Sequence, residues 1–265
     1  MSARSPDTAS AVWAELASFE EAASGFDPVG LAELPAPAKR LLSRVLPEGT
    51  PLVTAVELEM TGSIKLGPRW MMFRSQQILR AGVGFVWRPV VGGRLVKFVG
   101  ADLLGPDDSR MEFRFHGLIP VVRATGPDIA RSAAGRLAAE TVMWLPQALT
   151  PQAGATWAGV DDDRAVVSLA GEHDLPDVEV TVDGDGRLLS TLTQRWNASS
   201  KPPALAPFGG PVDSEHETGG GIRIAGSGSG GWGWTTPAWT DGEFFRFTIT
   251  TVRPVDAAAY QGDEP

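Results

Sequence analysis

Apolar positions repeat with a helical period up to about residue 46 and with a strand period over most of the remaining chain. Val12, Leu16, Phe19 and Ala23 recur at helical spacing, with Glu15, Glu20 and Glu21 mostly off that stripe. Ser24-Gly25 ends the pattern, and Phe26–Gly30 reads as a loop. A second short helix is expected over Pro37–Leu46, with Leu41, Leu42 and Val45 as its apolar face and Pro47-Glu48-Gly49 as its stop. From Leu52 to Leu66 the even positions are mostly apolar, while the odd positions from Glu57 to Lys65 are polar. This is the period of a long strand with one buried face.

Shorter segments of the same kind follow at 70–79, 83–91, 94–103 and 111–117, with turn signals such as Gly92-Gly93 between them. One helix, 129–144, interrupts them. Thr125-Gly126-Pro127-Asp128 has the form of a capping box at its start, and Pro146 limits its end. Strand patterns resume at 155–160, 164–170, 178–183, 188–196, 221–225, 231–235 and 243–252, with Asp183-Gly184-Asp185-Gly186 as a hairpin signal. Residues 198–220, rich in Pro, Gly and Ser, read as a long loop. The fold class expected is mainly β (α+β): one strongly curved or partly closed antiparallel sheet, a half-barrel or barrel, around a central helix, with N-terminal helices. The domain division expected is an N-terminal helical extension at 1–33, the curved β domain at 34–254 and a tail at 255–265.

Composition narrows the chemistry. The 265 residues include no cysteine, which removes disulfides, thiolate metal sites and a cysteine nucleophile. The net charge of −9 argues against a nucleic-acid partner, because phosphate binding needs clustered cations. Only four lysines occur, Lys39, Lys65, Lys97 and Lys201, none in a recognisable Schiff-base setting. Nine tryptophans stand against a single tyrosine, Tyr260, which supplies many large apolar plates to bury or to present to a ligand. The N-terminus has no apolar signal-like run, and no stretch is long and apolar enough to span a bilayer, so a cytoplasmic location is expected.

Local motifs are sparse. Gly226–Gly231 matches G-x-G-x-x-G, but Trp232-Gly233-Trp234-Thr235-Thr236-Pro237 follows where a dinucleotide site needs a helix, so a hairpin is expected instead. His116, His173 and His216 share no metal-ligand spacing, and Asp161-Asp162-Asp163 lacks the alternation of a calcium loop. No metal site and no cofactor are expected. On the central helix Ser132, Arg136, Glu140 and Trp144 recur every fourth residue and form one row. That row is either a surface ion pair or, with the helix packed inside a curved sheet, a polar element facing a cavity.

Ser132-x3-Arg136-x3-Glu140-x3-Trp144-x-Pro146-x-Ala148-Leu149 resembles the central block of a bacterial family of unknown function. Leu34-Pro35-x-Pro37, Trp70-x-x-Phe73 with Gln77, Gly84-Phe85-Val86-Trp87 and Gly117–Val121 agree with it in order, so the likeness covers about 34–252. The family is similar in architecture to the lipoprotein-carrier (LolA/LolB-like) proteins, whose curved antiparallel sheet shelters an acyl chain. A tyrosine expected near Leu104 is missing, phenylalanine stands for tryptophan at Phe208, and Ala225 replaces a proline.

The function expected is binding of a lipophilic small molecule in an aromatic cavity lined by Trp70, Phe73, Phe85, Trp87, Phe115 and Trp144, with Arg136 and Glu140 as its polar groups. One alternative is a cofactor-independent cyclase or isomerase in the same cavity, with Glu140, Asp102 or His116 as acid or base. The other is a partner-binding module that docks through the N-terminal helix.

Overall fold

The computed structural model describes residues 7–18 and 25–255. Thirteen strands form one antiparallel sheet: β1 (Ala55–Leu66), β2 (Arg69–Arg80), β3 (Gly84–Gly92), β4 (Lys97–Leu104), β5 (Ser109–Phe115), β6 (Ile119–Thr125), β7 (Thr156–Gly159), β8 (Arg164–Ser168), β9 (Val178–Val182), β10 (Leu188–Asn197), β11 (Ala204–Glu217), β12 (Arg223–Trp232) and β13 (Glu243–Pro254). Their order is β6-β5-β4-β3-β2-β1-β13-β12-β11-β10-β9-β8-β7, so β6 and β7 are free edges and the sheet does not close. An open twisted sheet of this width must curl. Its concave face is filled by two helices, α2 (Ala36–Val45) and α3 (Pro127–Trp144), while α1 (Thr8–Leu16) lies on the convex side.

The register assigns every side chain to a face. Leu58 pairs with Gln77, Gln77 with Trp87, Trp87 with Asp102 and Asp102 with Met111, so this row looks inward together. Val56, Leu58 and Met60 are buried, as the even-position pattern requires, and Ala133, Ala134, Leu137 and Ala138 of α3 pack against them in one core. The small residues of α3 let the helix sit close to the sheet; a Cβ on Gly135 would meet Arg195 Cγ at 2.7 Å. Phe26 and Leu31 also belong to this core.

The opposite parity makes a second, smaller core. Ile78, Val86 and Leu103 are buried on the convex face beneath Val12, Leu16 and Ala17. Trp13 Nε1 donates to Glu57 Oε1 at 3.1 Å, and Arg80 donates to the carbonyls of Leu16 and Ser18. The apolar stripe of α1 is thus spent on its own sheet. Phe19 and Ala23, expected in the same helix, lie outside the described residues. Val12→Ala, which removes two buried carbons, is expected to lower stability by about 1.5 kcal/mol in urea unfolding. No change would mean that α1 does not rest on β2–β4 in solution.

Three sequence expectations are corrected. Residues 204–217, read as loop, form β11, a strand paired on both sides. Gly226–Gly231, read as a hairpin, lies inside β12; the hairpin is at 233–242. A Cβ on Gly228 would stand 2.4 Å from Pro211 O and one on Gly231 2.1 Å from Gly242 O, so glycine answers strand approach here rather than phosphate. The capping box does not form: Gly126 is the N-cap without a side-chain bond, and Asp128 Oδ1 accepts from Trp196 Nε1 at 2.9 Å. The segment 119–125, for which no element was expected, is edge strand β6.

Candidate functional site

Arg136 leaves α3 towards the concave face of β2–β4 and meets two carboxylates. Its NH1 group donates to Asp102 Oδ2 at 2.7 Å and its Nε to Glu140 Oε1 at 2.6 Å. Gln77 completes the set: Nε2 donates to Glu140 Oε2 at 2.6 Å and Oε1 accepts from Arg136 NH2 at 3.3 Å. The guanidinium also lies 4.4 Å from the Phe85 ring and 5.2 Å from the Trp87 ring. Burial pulls the arginine pKa down, but Glu140 and Asp102 outweigh it and hold the group above the ordinary value. Helical spacing places Arg136 and Glu140 together, and the β3–β4 register delivers Asp102 beside Trp87.

A second cation stands apart. Arg195, inward on β10 in line with Thr191 and Thr193, donates through Nε to Ser132 O of α3 at 2.8 Å. Its guanidinium lies 4.4 Å from the Phe208 ring and 5.2 Å from the Trp232 ring. No carboxylate among the described residues forms an ion pair with it. Burial, and next the like charge of Arg136, push its pKa down to about 10.

Aromatic rings surround these groups. Trp87 contacts Phe73 edge-on at 5.6 Å, Phe245 at 5.9 Å and Phe113 at 6.3 Å, and Phe208 contacts Trp232 at 5.1 Å. Phe73 and Trp87 are buried, whereas Phe113, Phe208, Trp232 and Phe245 are half-buried. Trp144 closes the other end of α3 against Phe247 at 5.3 Å, and its indole N–H is buried without a hydrogen-bond partner.

Of the residues expected to line the site, Phe73, Phe85, Trp87, Phe115, Arg136, Glu140 and Trp144 belong to the concave face or to α3, with Phe115 out towards the rim beside Phe98. Trp70 does not join them. Residues three apart in a strand face opposite ways, so Trp70 stands on the convex side from Phe73, under Arg246 at 4.2 Å. His116 is in the exposed β5–β6 turn, with φ +50°, its ring nitrogen 3.2 Å from Leu95 O. It is therefore not a neighbour of Asp102 and Glu140.

Side chains of α2 and α3 pack against the concave face in one core. One cavity of about 20 Å³, room for a water, lies between α2, α3 and β11–β12 against Leu41, Val142, Leu188 and Ile224. Another of the same size lies on the convex side beside Trp13 and Glu57. Among the described residues no group of three or more histidine or acidic side chains is placed to hold a metal.

The profile of DUF6544, a family of unknown function, matches residues 25–244. The chain belongs to DUF6544. The match takes in α2, α3 and all of β1–β12, and it begins after α1. No curated protein matches the chain. Among solved structures, the DUF6544 chain is similar to a domain assigned to outer-membrane lipoprotein sorting from Vibrio parahaemolyticus (10% identity, TM-score 0.42), over 79% of this chain and 87% of that one. It is also similar to a DUF1329 family protein from Desulfovibrio piger (13%, TM-score 0.41, 86% and 94% covered). A LolA superfamily protein from Nitrosomonas europaea is a third (12%, TM-score 0.37, 86% and 93% covered). Among the described residues no helix is long and apolar enough to cross a membrane.

Proposed function

We propose that the protein binds a lipophilic molecule bearing an anionic group at the mouth of the concave face. The anion sits on Arg195, and the apolar chain lies along the half-buried rings of Phe208, Trp232 and Phe245. Arg195 carries this reading. It is a cation positioned by a carbonyl and two rings, with donors left over and no ion-pair partner among the described residues. Arg136, the arginine visible in the sequence row, is already satisfied by Asp102, Glu140 and Gln77 and serves to pin α3 across the sheet. Because α2 and α3 pack their apolar side chains against the concave face, the chain is placed across the mouth rather than inside a barrel.

The cyclase or isomerase alternative gains no observation in its favour. Glu140 is engaged through both oxygens, Asp102 is in an ion pair, and His116 lies elsewhere. Nor does the docking-helix alternative, because α1 buries its apolar stripe on the convex face.

The test is titration of the protein with oleate and with oleyl alcohol, followed by tryptophan fluorescence. Oleate is expected to bind at least ~10-fold tighter, the difference being a charge-assisted contact to Arg195. Arg195→Met is expected to abolish that preference while leaving the alcohol unaffected. Absence of oleate binding, or equal affinity for the two ligands, would overturn the proposal.

Stability gives an independent check. A cation whose pKa is lower in the folded state than in the unfolded one opposes folding at every pH below about 10, with relief only as the pH rises beyond that value. Arg195→Met is therefore expected to raise the stability of the ligand-free protein by about 1 kcal/mol.

A further inference from the structure

The two rims of the sheet differ in chemistry. Antiparallel order sends the β1–β2, β3–β4, β5–β6, β8–β9, β10–β11 and β12–β13 connections out at one end of their strands; the β8–β9 connection, 169–177, is set apart from the others by its contact with the β2–β3 turn, where Glu172 N–H donates to Gly82 O at 2.9 Å. Neighbouring turns touch: Lys65 Nζ donates to Asp241 O at 3.3 Å, the His116 ring nitrogen lies 3.2 Å from Leu95 O, and Gly233 N–H donates to Pro207 O at 2.7 Å. Along this rim Leu66, Leu95, Val96, Leu118, Ile119 and Leu205 are exposed, Leu95 by 86% and Leu118 by 79%. The tips at 66–69, 92–97, 115–119 and 198–203 contain no acidic residue and the β12–β13 turn, 233–242, contains one, Asp241, although the chain carries a net charge of −9. In or beside them stand Lys65, Arg69, Arg94, Lys97 and Lys201, which include three of the four lysines. At the opposite rim acids stand in the turns, Asp107 and Asp108 between β4 and β5, Asp183 and Asp185 between β9 and β10, and Glu217 before the β11–β12 turn, with Asp108 paired to Arg110 and Glu217 to Arg223.

Leu66, Leu95, Leu118 and Leu205 stand at four separate turns rather than on one element. A fluid lipid surface accommodates all of them. Apolar tips entering the headgroup layer, cations facing lipid phosphates and indoles just behind are the pattern of an interfacial anchor. Trp234 and Trp239, 4.8 Å apart in the β12–β13 turn, supply the indoles. The cations at these tips would orient an approaching molecule with this rim towards a negative surface.

We infer that this rim docks on an anionic bilayer. Trp232 ends β12 and Phe245 lies near the start of β13, so docking also brings the mouth of the concave face to the lipid.

The experiment is co-sedimentation of the full chain with phosphatidylcholine vesicles, with and without about 30% phosphatidylglycerol. Binding is expected with the anionic lipid, at least ~10-fold weaker without it, and strongly reduced by high salt. Leu95→Ser/Leu118→Ser, both exposed sites, is expected to weaken partitioning by about 10-fold. Arg94→Glu/Lys97→Glu is expected to weaken it by about 30-fold. No sedimentation of the wild type, or equal sedimentation of wild type and both variants, would overturn the inference. So would light scattering showing that the leucine variant only splits a dimer, which would make the rim a contact between copies. Oleate affinity should be unchanged in both rim variants, and Arg195→Met should still sediment, so docking and ligand binding can fail separately.

Discussion

Arg136→Met is expected to cost about 3–5 kcal/mol of stability, far more than the loss of a surface arginine. The substitution strands Asp102 and Glu140 within a buried layer where each now takes a short bond from the guanidinium. It also removes a donor from Gln77 Oε1 and the contact with the Phe85 ring. What is lost is chiefly the compensation of two buried negative charges, so neutralising them should restore part of it. The triple variant Arg136→Met/Asp102→Asn/Glu140→Gln is expected to be more stable than the single one, by about 2 kcal/mol or more. Urea unfolding of the three proteins measures both effects. If the single variant costs less than about 1 kcal/mol, the set is not closed off from solvent as described.

Gly209→Ala is expected to destabilise by about 3 kcal/mol through backbone collision rather than loss of contacts. A Cβ at Gly209 would stand 1.9 Å from Thr191 O, and one at Gly210 would stand 2.0 Å from Ser229 O. The two glycines thus let β11 fit between β10 and β12 at once, and a methyl group on either forces a neighbouring strand to move. Gly230, on the partner strand, is the control. Its Cβ would meet nothing nearer than Gly209 O at 3.9 Å, so Gly230→Ala should be neutral or slightly stabilising. Equal effects at Gly209 and Gly230 would contradict this pairing.

These two sites illustrate what could and could not be read from the chain. The alternation in β1 and the four-residue row on α3 were legible because each element has one buried face, and periodicity records burial directly. The strand β11 was hidden because Pro207, Gly209, Gly210 and Pro211 serve tight strand packing with residue types that usually mark loops. The edge strand β6 was hidden for the opposite reason: Ile119, Val121 and Val122 are all exposed, so neither face leaves an alternating record. Asp102 could be named from sequence, but its meeting with Arg136 depends on the β3–β4 register. Arg195 sits on a threonine-bearing strand, and its two rings come from β11 and β12. Only long-range pairing puts those three side chains together. The opposite facing of Trp70 and Phe73, by contrast, follows from their three-residue spacing once the segment is a strand.

The unclosed sheet has a consequence for how the protein behaves when concentrated. The last strand at one end, β7, has four residues and offers little length for another chain to copy, but β6 has seven and carries exposed β-branched side chains. Three features blunt it. Pro120 has no N–H to offer, Arg123 adds charge, and the irregular register beside Phe113 and Arg114 disturbs the ladder with β5. Edge-to-edge aggregation would begin at this strand without any unfolding of the core. Pro120 and Arg123 thus guard the folded state against edge pairing, a hazard separate from the stability of the fold.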